Sequence, residues 1–350
     1  ALKDAKTLAN PRAPDRMSVG TRAISLPQGS GKVQGLGESF SMNLSTGVGT
    51  FSVPVPVPPA RGGADPNFAL SYSTSGGLGL LGQGWDIAVP YIARQTDRGA
   101  PKYDDRPSPH PEQDHFVYNG GQELIPLCVI TSQACEGLTT GERFPAWAEG
   151  WQYFRPSIEG SFERFFLSPN KETWRIQMKS GLSYELGVPL EANANRSGLE
   201  TDPDAPTHIF RWNLTRAYDM EGDVNPAAGG FPAPRNVVRY RYENRGGVAY
   251  LSDVFYTNPA DGPDTADLAT YAHHVRFNYE TRTDPTTSYR RGYKATWDWR
   301  LKRVDVASKP TSATARTADR ELVRRIHFGY DANYRQSELI SVQMEGRTDP

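Results

Sequence analysis

The chain has 350 residues, of which 33 are glycine and 28 are proline; this share of about 17 % exceeds the roughly 12 % of ordinary proteins and favours short strands and turns over long helices. Its 39 lysines and arginines nearly balance its 40 aspartates and glutamates, giving a net charge of −1, which disfavours a nucleic-acid-binding domain with a basic face. No apolar run reaches the ~18 residues of a membrane-spanning helix, so we expect no membrane span.

The first twenty residues are polar and include several lysines and arginines. We expect residues 1–20 to be a flexible segment followed by one β domain over residues 21–350. The segment lacks the apolar core of a secretory signal peptide. Export after removal of a signal, and export without one, both stay open.

Alternation of apolar and polar residues predicts strands along most of the chain. In Phe51–Val57 the apolar residues share one face, while Pro54 and Pro56 on the other parity remove ladder donors, so we expect an edge or an irregular extended stretch. The predicted strands are Phe51–Val57, Phe68–Tyr72, Trp85–Val89, His115–Tyr118, Glu123–Leu127, Tyr153–Arg155, Phe162–Leu167, Thr173–Met178, Ser183–Leu186, His208–Ala217, Asn236–Tyr242, Tyr250–Tyr256, His273–Tyr279, Trp297–Val306, Leu322–Tyr330 and Glu338–Gln343.

Segments rich in proline, glycine, asparagine and aspartate separate these strands and are typical of surface loops. The best helix candidate is short, around Ala266–Ala272. In the last third, strands recur at roughly 20–30 residues, which indicates a sheet that extends by adding units. The sequence therefore predicts an all-β fold of many short antiparallel strands joined by long Gly/Pro-rich loops.

Two cysteines, Cys128 and Cys135, are separated by six residues. A local disulfide and half of a metal site are the functional alternatives. A zinc site needs about four ligands at close spacing, and the chain has no third cysteine. A disulfide is kept as an alternative, and two inert thiols are favoured.

An acidic loop is the only other candidate for a metal site. Asp104, Asp105, Glu112 and Asp114 supply the oxygen ligands that calcium prefers. A solvated acidic loop is the favoured interpretation. The adjacent His273 and His274 would point to opposite faces of a strand and so do not easily share a metal.

No catalytic residue or cofactor site emerges from the sequence. There is no GxSxG elbow and no convincing Ser/His/Asp set. The tryptophans offer another function, because Trp147, Trp151, Trp297 and Trp299 suit a carbohydrate-binding or adhesive platform. Packing in the core or over a sheet is favoured for these rings, which bury large areas.

The first hundred residues carry an ordered pattern of short motifs. Its most distinctive parts are Val53–Pro59, then Gly82–Trp85, then Arg94–Gly99 followed by Pro101–Asp105, and it starts at Ser25–Pro27 and Gly35–Phe40. This pattern resembles the N-terminal domain shared by SpvB-type virulence proteins and the B subunits of insecticidal toxin complexes. The likeness is most specific over residues 21–130, while residues 270–350 resemble Rhs/YD-type strands.

The resemblance implies a structural role. In toxin-complex B subunits such a region contributes strands to a hollow β shell, completed by Rhs/YD repeats and a C-type subunit, which holds a cargo toxin. The implied partners are the rest of the same chain or a C-type Rhs subunit, a pore-forming A-type subunit, and the cargo. The implied localisation is secreted, with a cytoplasmic stage in the producing bacterium.

A second family role is that of the N-terminal carrier of a SpvB-type ADP-ribosyltransferase. The Glu-x-Glu pair of that enzyme domain does not occur in the 350 residues, so no catalytic residue is carried over. The strand at Leu339–Val342 has no predicted capping element after it. We therefore expect an open sheet edge that pairs with further strands in the complete protein.

Overall fold

The structure is a computed structural model. It describes residues 39–43, 47–105, 114–132, 134–135, 143–191, 194–219, 224–225, 231–232, 234, 236–259, 267–311, 318–331 and 335–346. The predicted flexible segment 1–20, the start of the family pattern before residue 39, and Glu112 lie outside the described residues.

The described residues form an all-β fold, which confirms the predicted class. The strands of its first half are β1 Ser39–Asn43, β2 Val48–Pro54, β3 Ala69–Ser73, β4 Leu78–Gly79, β5 Gly82–Gln83, β6 Trp85–Ile87, β7 Tyr91–Arg94, β8 Phe116–Tyr118, β9 Gln122–Val129, β10 Gln152–Pro156, β11 Arg164–Leu167 and β12 Thr173–Gln177. The remaining strands are β13 Ser183–Gly187, β14 Leu199–Thr201, β15 Ile209–Tyr218, β16 Val224–Asn225, β17 Phe231–Pro232, β18 Val237–Arg245, β19 Val248–Tyr256, β20 His273–Ser288, β21 Ala295–Ser308, β22 Glu321–Tyr330 and β23 Leu339–Gly346.

The helical content of the described residues is two 3₁₀ turns, at Ala146–Ala148 and Leu268–Thr270. The second turn stands where the sequence predicts a short helix, and the Asp267 side chain caps it by accepting from the N–H of Ala269. No helix in the described part of the chain is long and apolar enough to cross a membrane.

Eight antiparallel strands close into a barrel in the order β7–β8–β9–β10–β11–β12–β13–β15. β15 closes the ring, because residues 211–213 pair with β7 and residues 214–218 pair with β13. The same strand also pairs with β18 through residues 216–218. β15 is therefore the junction at which the barrel continues into a second sheet.

Aromatic side chains fill the barrel. Phe116 of β8 and Trp174 of β12 come from opposite sides of the ring, as do Phe154 of β10 and Trp212 of β15, and all four are at most 2 % exposed. The Phe116 and Trp174 rings meet at 5.2 Å, and the Phe154 and Trp174 rings at 4.8 Å. Because rings from opposite strands touch across the centre, the barrel is a packed core.

The second sheet is open and runs β18–β19–β20–β21–β22–β23. A four-stranded sheet, β1–β2–β3–β6, covers one of its faces. Phe68 packs edge-to-face on Phe277 at 5.4 Å, and the Tyr256 hydroxyl donates to the carbonyl of Pro58 at 2.7 Å. β2 ends at Pro54 and lies between β1 and β3, so it is not the edge strand that the prolines suggested. One further cross-strand bond follows it, from the N–H of Val55 to the carbonyl of Phe68 at 2.9 Å.

The observed strands differ from the predicted ones mainly in length. Each predicted strand overlaps an observed one, but β20 has 16 residues and β21 has 14, so the hairpin they form is much longer than the alternation indicates. The sequence also missed β1, β7, the short β14, which lies in a predicted loop, and the two-residue strands β4, β5, β16 and β17.

Candidate functional site

Arg94 of β7 stands at one end of the barrel core with its side chain 0 % exposed. Its guanidinium makes a bidentate pair with Asp105, both bonds being 2.6 Å, and a bond of 2.8 Å to Asp114. Its Nε donates to the carbonyl of Ile209 at 2.7 Å. Charge-assisted bidentate pairs are among the stronger hydrogen bonds of proteins, so this arginine ties the acidic loop to the barrel.

The same guanidinium lies over three aromatic rings. Its central carbon is 4.9 Å from the centroid of Tyr103, 5.2 Å from Phe116 and 5.4 Å from Trp212. These are cation–π distances. Arg94 therefore packs on the layer of rings and covers that end of the barrel core with a charged side chain.

The candidate calcium ligands lie around this arginine. Asp105 and Asp114 both bind Arg94, and Asp114 also accepts from the N–H groups of Lys102 and Tyr103 at 2.9 and 2.8 Å. Asp104 is half-buried beside them. Calcium would have to displace the guanidinium from these oxygens. In the described part of the chain no three His, Cys, Asp or Glu side chains are grouped as metal ligands, and the calcium site stays a prediction.

A second buried ionic cluster lies on β13 and β15. Glu185 is 1 % exposed and lies 3.0 Å from Arg216, while it accepts from the Tyr218 hydroxyl at 2.8 Å and from the N–H of Leu190 at 2.9 Å. Burial acts to raise the pKa of Glu185, but the positive charges of Arg216 and Arg175, together with these hydrogen bonds, outweigh it and lower the pKa.

The structure joins Cys128 and Cys135 in a disulfide with Cα atoms 5.7 Å apart, where the sequence favoured two thiols. A tight turn brings them together, because Thr131 and Ala134 form an isolated antiparallel bridge between them. Cys135 is buried in a small cluster with Trp147 and Trp151. This cluster covers the outside of the barrel.

The tryptophans proposed as a carbohydrate platform do not share one surface role. Trp147 and Trp151 are 8 % and 6 % exposed and pack edge-to-face at 5.6 Å. Trp297 and Trp299 are half-buried, and each has an arginine over its ring, at 4.8 Å in both cases. Burial of two of the four rings removes them from any glycan platform.

The two adjacent histidines serve different contacts on β20. His273 Nδ1 is 2.8 Å from the Ser308 hydroxyl, while His274 Nε2 is 2.8 Å from Asp253 and its ring stacks on Phe255 at 4.2 Å. They do not converge on a common point, as the sequence leads one to expect.

The face of the open sheet that points away from the small sheet carries a row of charges. The row crosses all six strands at matching register positions: each member lies directly opposite the next. Its sign alternates at every step. We call this the charge row, and its members are Arg241, Asp253, Arg276, Asp305, Arg325 and Glu345.

Asp305 and Arg325 are in direct contact within the charge row, and neighbouring residues add to two of its carboxylates. Asp305 accepts from Arg325 Nε at 2.6 Å and from the neighbouring Arg303 at 3.1 Å. His274 contacts Asp253. Burial acts to raise the pKa of Asp253, but the hydrogen bond from His274 and other contacts outweigh burial and lower the pKa. Opposite charges facing each other across strands each add roughly 0.2–1 kcal/mol. The sequence analysis did not identify this row, because its register is set by the strand pairing.

β23 forms the open edge of this sheet. It pairs with β22, and no further strand joins it among the described residues. Val342 is 2 % exposed on the core face, whereas Glu345 is 60 % exposed on the charged face. This is the open edge that the sequence predicts, and it offers unpaired backbone to another strand.

Comparison with known proteins identifies a family that matches most of the chain. Residues 43–312, more than half of the chain, match the family model described as SpvB, Salmonella virulence plasmid 65kDa B protein. The mono(ADP-ribosyl)transferase SpvB of Salmonella choleraesuis (strain SC-B67) is 28 % identical over 259 residues, which are 69 % of this chain and 39 % of that protein. The chain thus spans well under half the length of this relative.

Several solved structures share the fold, two of which follow. The N-terminal domain of effector protein SpvB from Salmonella typhimurium strain LT2 matches with a TM-score of 0.64 and 21 % identity, covering 84 % of this chain and 98 % of that domain. The TcdB2-TccC3 structure matches with a TM-score of 0.68 and 20 % identity, covering 92 % of this chain and 16 % of that chain. At these identities the likeness concerns the fold.

Proposed function

The chain belongs to the SpvB family, and on that premise we propose that it is a non-catalytic structural module of a secreted bacterial toxin. Its similarity is to the N-terminal domain of SpvB, which makes it a toxin-associated N-terminal module. In the proposed role it contributes strands to a shell that encloses a toxic cargo polypeptide and helps its delivery. Its partners would be further toxin subunits or further parts of its own chain.

The open edge at β23 is the observation that carries this proposal. A filled barrel cannot itself hold a cargo, because Phe116, Phe154, Trp174 and Trp212 occupy its centre. An enclosure has to be built from a sheet that continues, and the sheet that branches from β15 continues to an unpaired edge. The fold shared with TcdB2-TccC3, where the matched part is 16 % of the chain, supports a module within a larger assembly.

Protease protection tests the proposal. The intact protein that contains this chain is compared with a form that lacks residues 39–346, and both are treated with protease. We expect the cargo region to survive digestion only when the module is present. The isolated cargo must be digested in the same conditions, as a control. Equal protection in the truncated protein would contradict the proposed role.

A second candidate is the N-terminal carrier of an ADP-ribosyltransferase. It is favoured by the match to 98 % of the SpvB N-terminal domain. Incubation with labelled NAD distinguishes the candidates. We expect no transfer of label by residues 1–350 in either case, and transfer by the intact protein only if an enzyme domain accompanies the module.

A further inference from the structure

The last residue of the charge row, on the open edge strand β23, is the carboxylate Glu345. The sign changes at every strand from Arg241 on β18 to Glu345 on β23. Glu345 faces Arg325 across the ladder, and its Oε2 lies 3.2 Å from His327 Nε2. Its side chain is nevertheless 60 % exposed. A strand added at this edge would continue the alternation with a cation.

We propose that β23 is joined by an antiparallel strand that places a lysine or arginine opposite Glu345. This inference rests on the proposed function, because strand addition at this edge is how the module would enter a shell. It adds the chemistry and the register of the joining strand. The occupant is an extended segment in which a basic residue on one face is flanked by apolar residues on the other.

The core face fixes the same register. Val342 is 2 % exposed, and Met344 is half-buried against the main core. A joining strand must therefore place apolar residues opposite these two positions. Since side chains alternate faces, a slip by one residue would move its cation to the core face and its apolar residues to solvent. Charge and hydrophobic burial thus select one pairing.

A bulge limits how far the new pairing extends. The register of β23 against β22 shifts between Gly329 and Tyr330, so that Ile340 is the extra residue, and it is 64 % exposed. Bulges disrupt the ladder locally and bend the strand. We therefore expect the added strand to pair with Ser341–Gly346, the part that contains Glu345.

A second copy of β23 or of β1 does not supply the cation. β23 has the sequence LISVQMEG and β1, at the edge of the small sheet, has SFSMN; neither contains lysine or arginine. Two β23 strands paired about Glu345 would place like charges opposite each other, which destabilises the pair. The joining strand is therefore a different sequence.

Peptide binding tests the inference on the intact 350-residue chain. The probes are two fluorescently labelled decapeptides, one with the β22 sequence ELVRRIHFGY and one with the same sequence carrying R325E. The first already has the side-chain pattern that the sheet places beside β23. Fluorescence anisotropy at low salt gives both dissociation constants. Hydrogen exchange of residues 341–346 shows whether the peptide pairs with this strand.

We expect the arginine peptide to bind about fivefold more tightly, which corresponds to about 1 kcal/mol. The preference should shrink at high salt, because exposed charges are screened. The preference for the arginine peptide should invert in E345R. It should persist in E243R, the control variant, which reverses the charge of an exposed glutamate on β18. If E345R fails to fold, E345Q should bind both peptides equally.

Equal binding of the two peptides to the wild-type chain, binding of neither, or a preference that survives E345R would overturn the inference. These outcomes are independent of the cargo assay. Equal protease protection of the cargo with and without the module, together with an intact peptide preference, would refute the shell and leave the edge chemistry standing. Protection that depends on the module, without the peptide preference, would do the reverse.

Discussion

Replacing Arg94 with methionine should destabilise the barrel by about 3 kcal/mol. The substitution keeps an apolar chain of similar length but removes four hydrogen bonds, to Asp105, Asp114 and Ile209. Removing one partner of a buried ion pair costs roughly 3–5 kcal/mol. We take the lower end because the Asp105 side chain is 20 % exposed and Asp114 retains two backbone N–H donors.

Urea unfolding of the wild type and of R94M measures this free energy. Arg245→Met is the matched control, because Arg245 is 47 % exposed and its pair with Asp298 is at the surface; we expect about 1 kcal/mol or less. Arg94→Lys should fall between the two, since lysine keeps the charge but loses the planar fork. The triple variant R94M/D105N/D114N should recover part of the loss.

A free energy of unfolding for R94M within about 1 kcal/mol of the wild type would refute the claim that the Arg94 ion pairs stabilise this end of the barrel. So would a triple variant less stable than R94M, because the unpaired carboxylates would then not be the source of the cost. Calcium titration of wild type and R94M also tests the calcium hypothesis. Stabilisation of the wild type by calcium would mean that the ion can displace the guanidinium.

Three further predictions concern other parts of the barrel. The folded-state pKa of Glu185 is lowered, so its ionisation stabilises the protein above the unfolded pKa of about 4.3. This stabilisation is lost as the pH falls through the folded pKa. Glu185→Gln should therefore be less stable than wild type at pH 7 in urea titrations, and the difference should vanish in acid. Reduction of Cys128–Cys135, followed by mass after alkylation and by urea unfolding, should lower stability by about 2–3 kcal/mol, as expected for a short closed loop; a reducible bond absent in the purified protein would restore the thiol interpretation. Gly187→Ala should cost about 1–3 kcal/mol more than Gly181→Ala, because both have a positive φ of 88–89° but only an added Cβ at 187 meets a carbonyl, at 2.3 Å; equal losses would contradict the clash.

The sequence predicted the strands because alternation is a local signal. It failed where the signal is absent: Tyr91–Arg94 has three consecutive buried residues, since both faces of β7 are covered. It also failed where a strand is short, as at Leu199–Thr201. The long β20–β21 hairpin was underestimated because the polar outer half of β20, up to Ser288, lacks apolar alternation.

The candidate sites were less predictable, because they depend on register. Asp105 and Asp114 were identified by residue type, but their partner Arg94 enters only when β7 becomes part of a closed ring. The charge row was missed, although each strand shows its charged residue on the outward parity. Which charges meet depends on the bulges at Arg241/Tyr242 and Gly329/Tyr330, and no local pattern fixes them.

The barrel is closed and the sheet that branches from it is open, and this difference determines where further strands can pair. The ring is closed, and in the described part of the chain the strands that join it from outside, β14 and β18, both pair with β15. β15 belongs both to that ring and to the open sheet, which makes the barrel a rigid end for the sheet. Among the described strands, the free end of this sheet is β23. Under the proposed function the barrel is thus one end of this sheet, and the shell would lengthen from β23, the strand that carries Glu345.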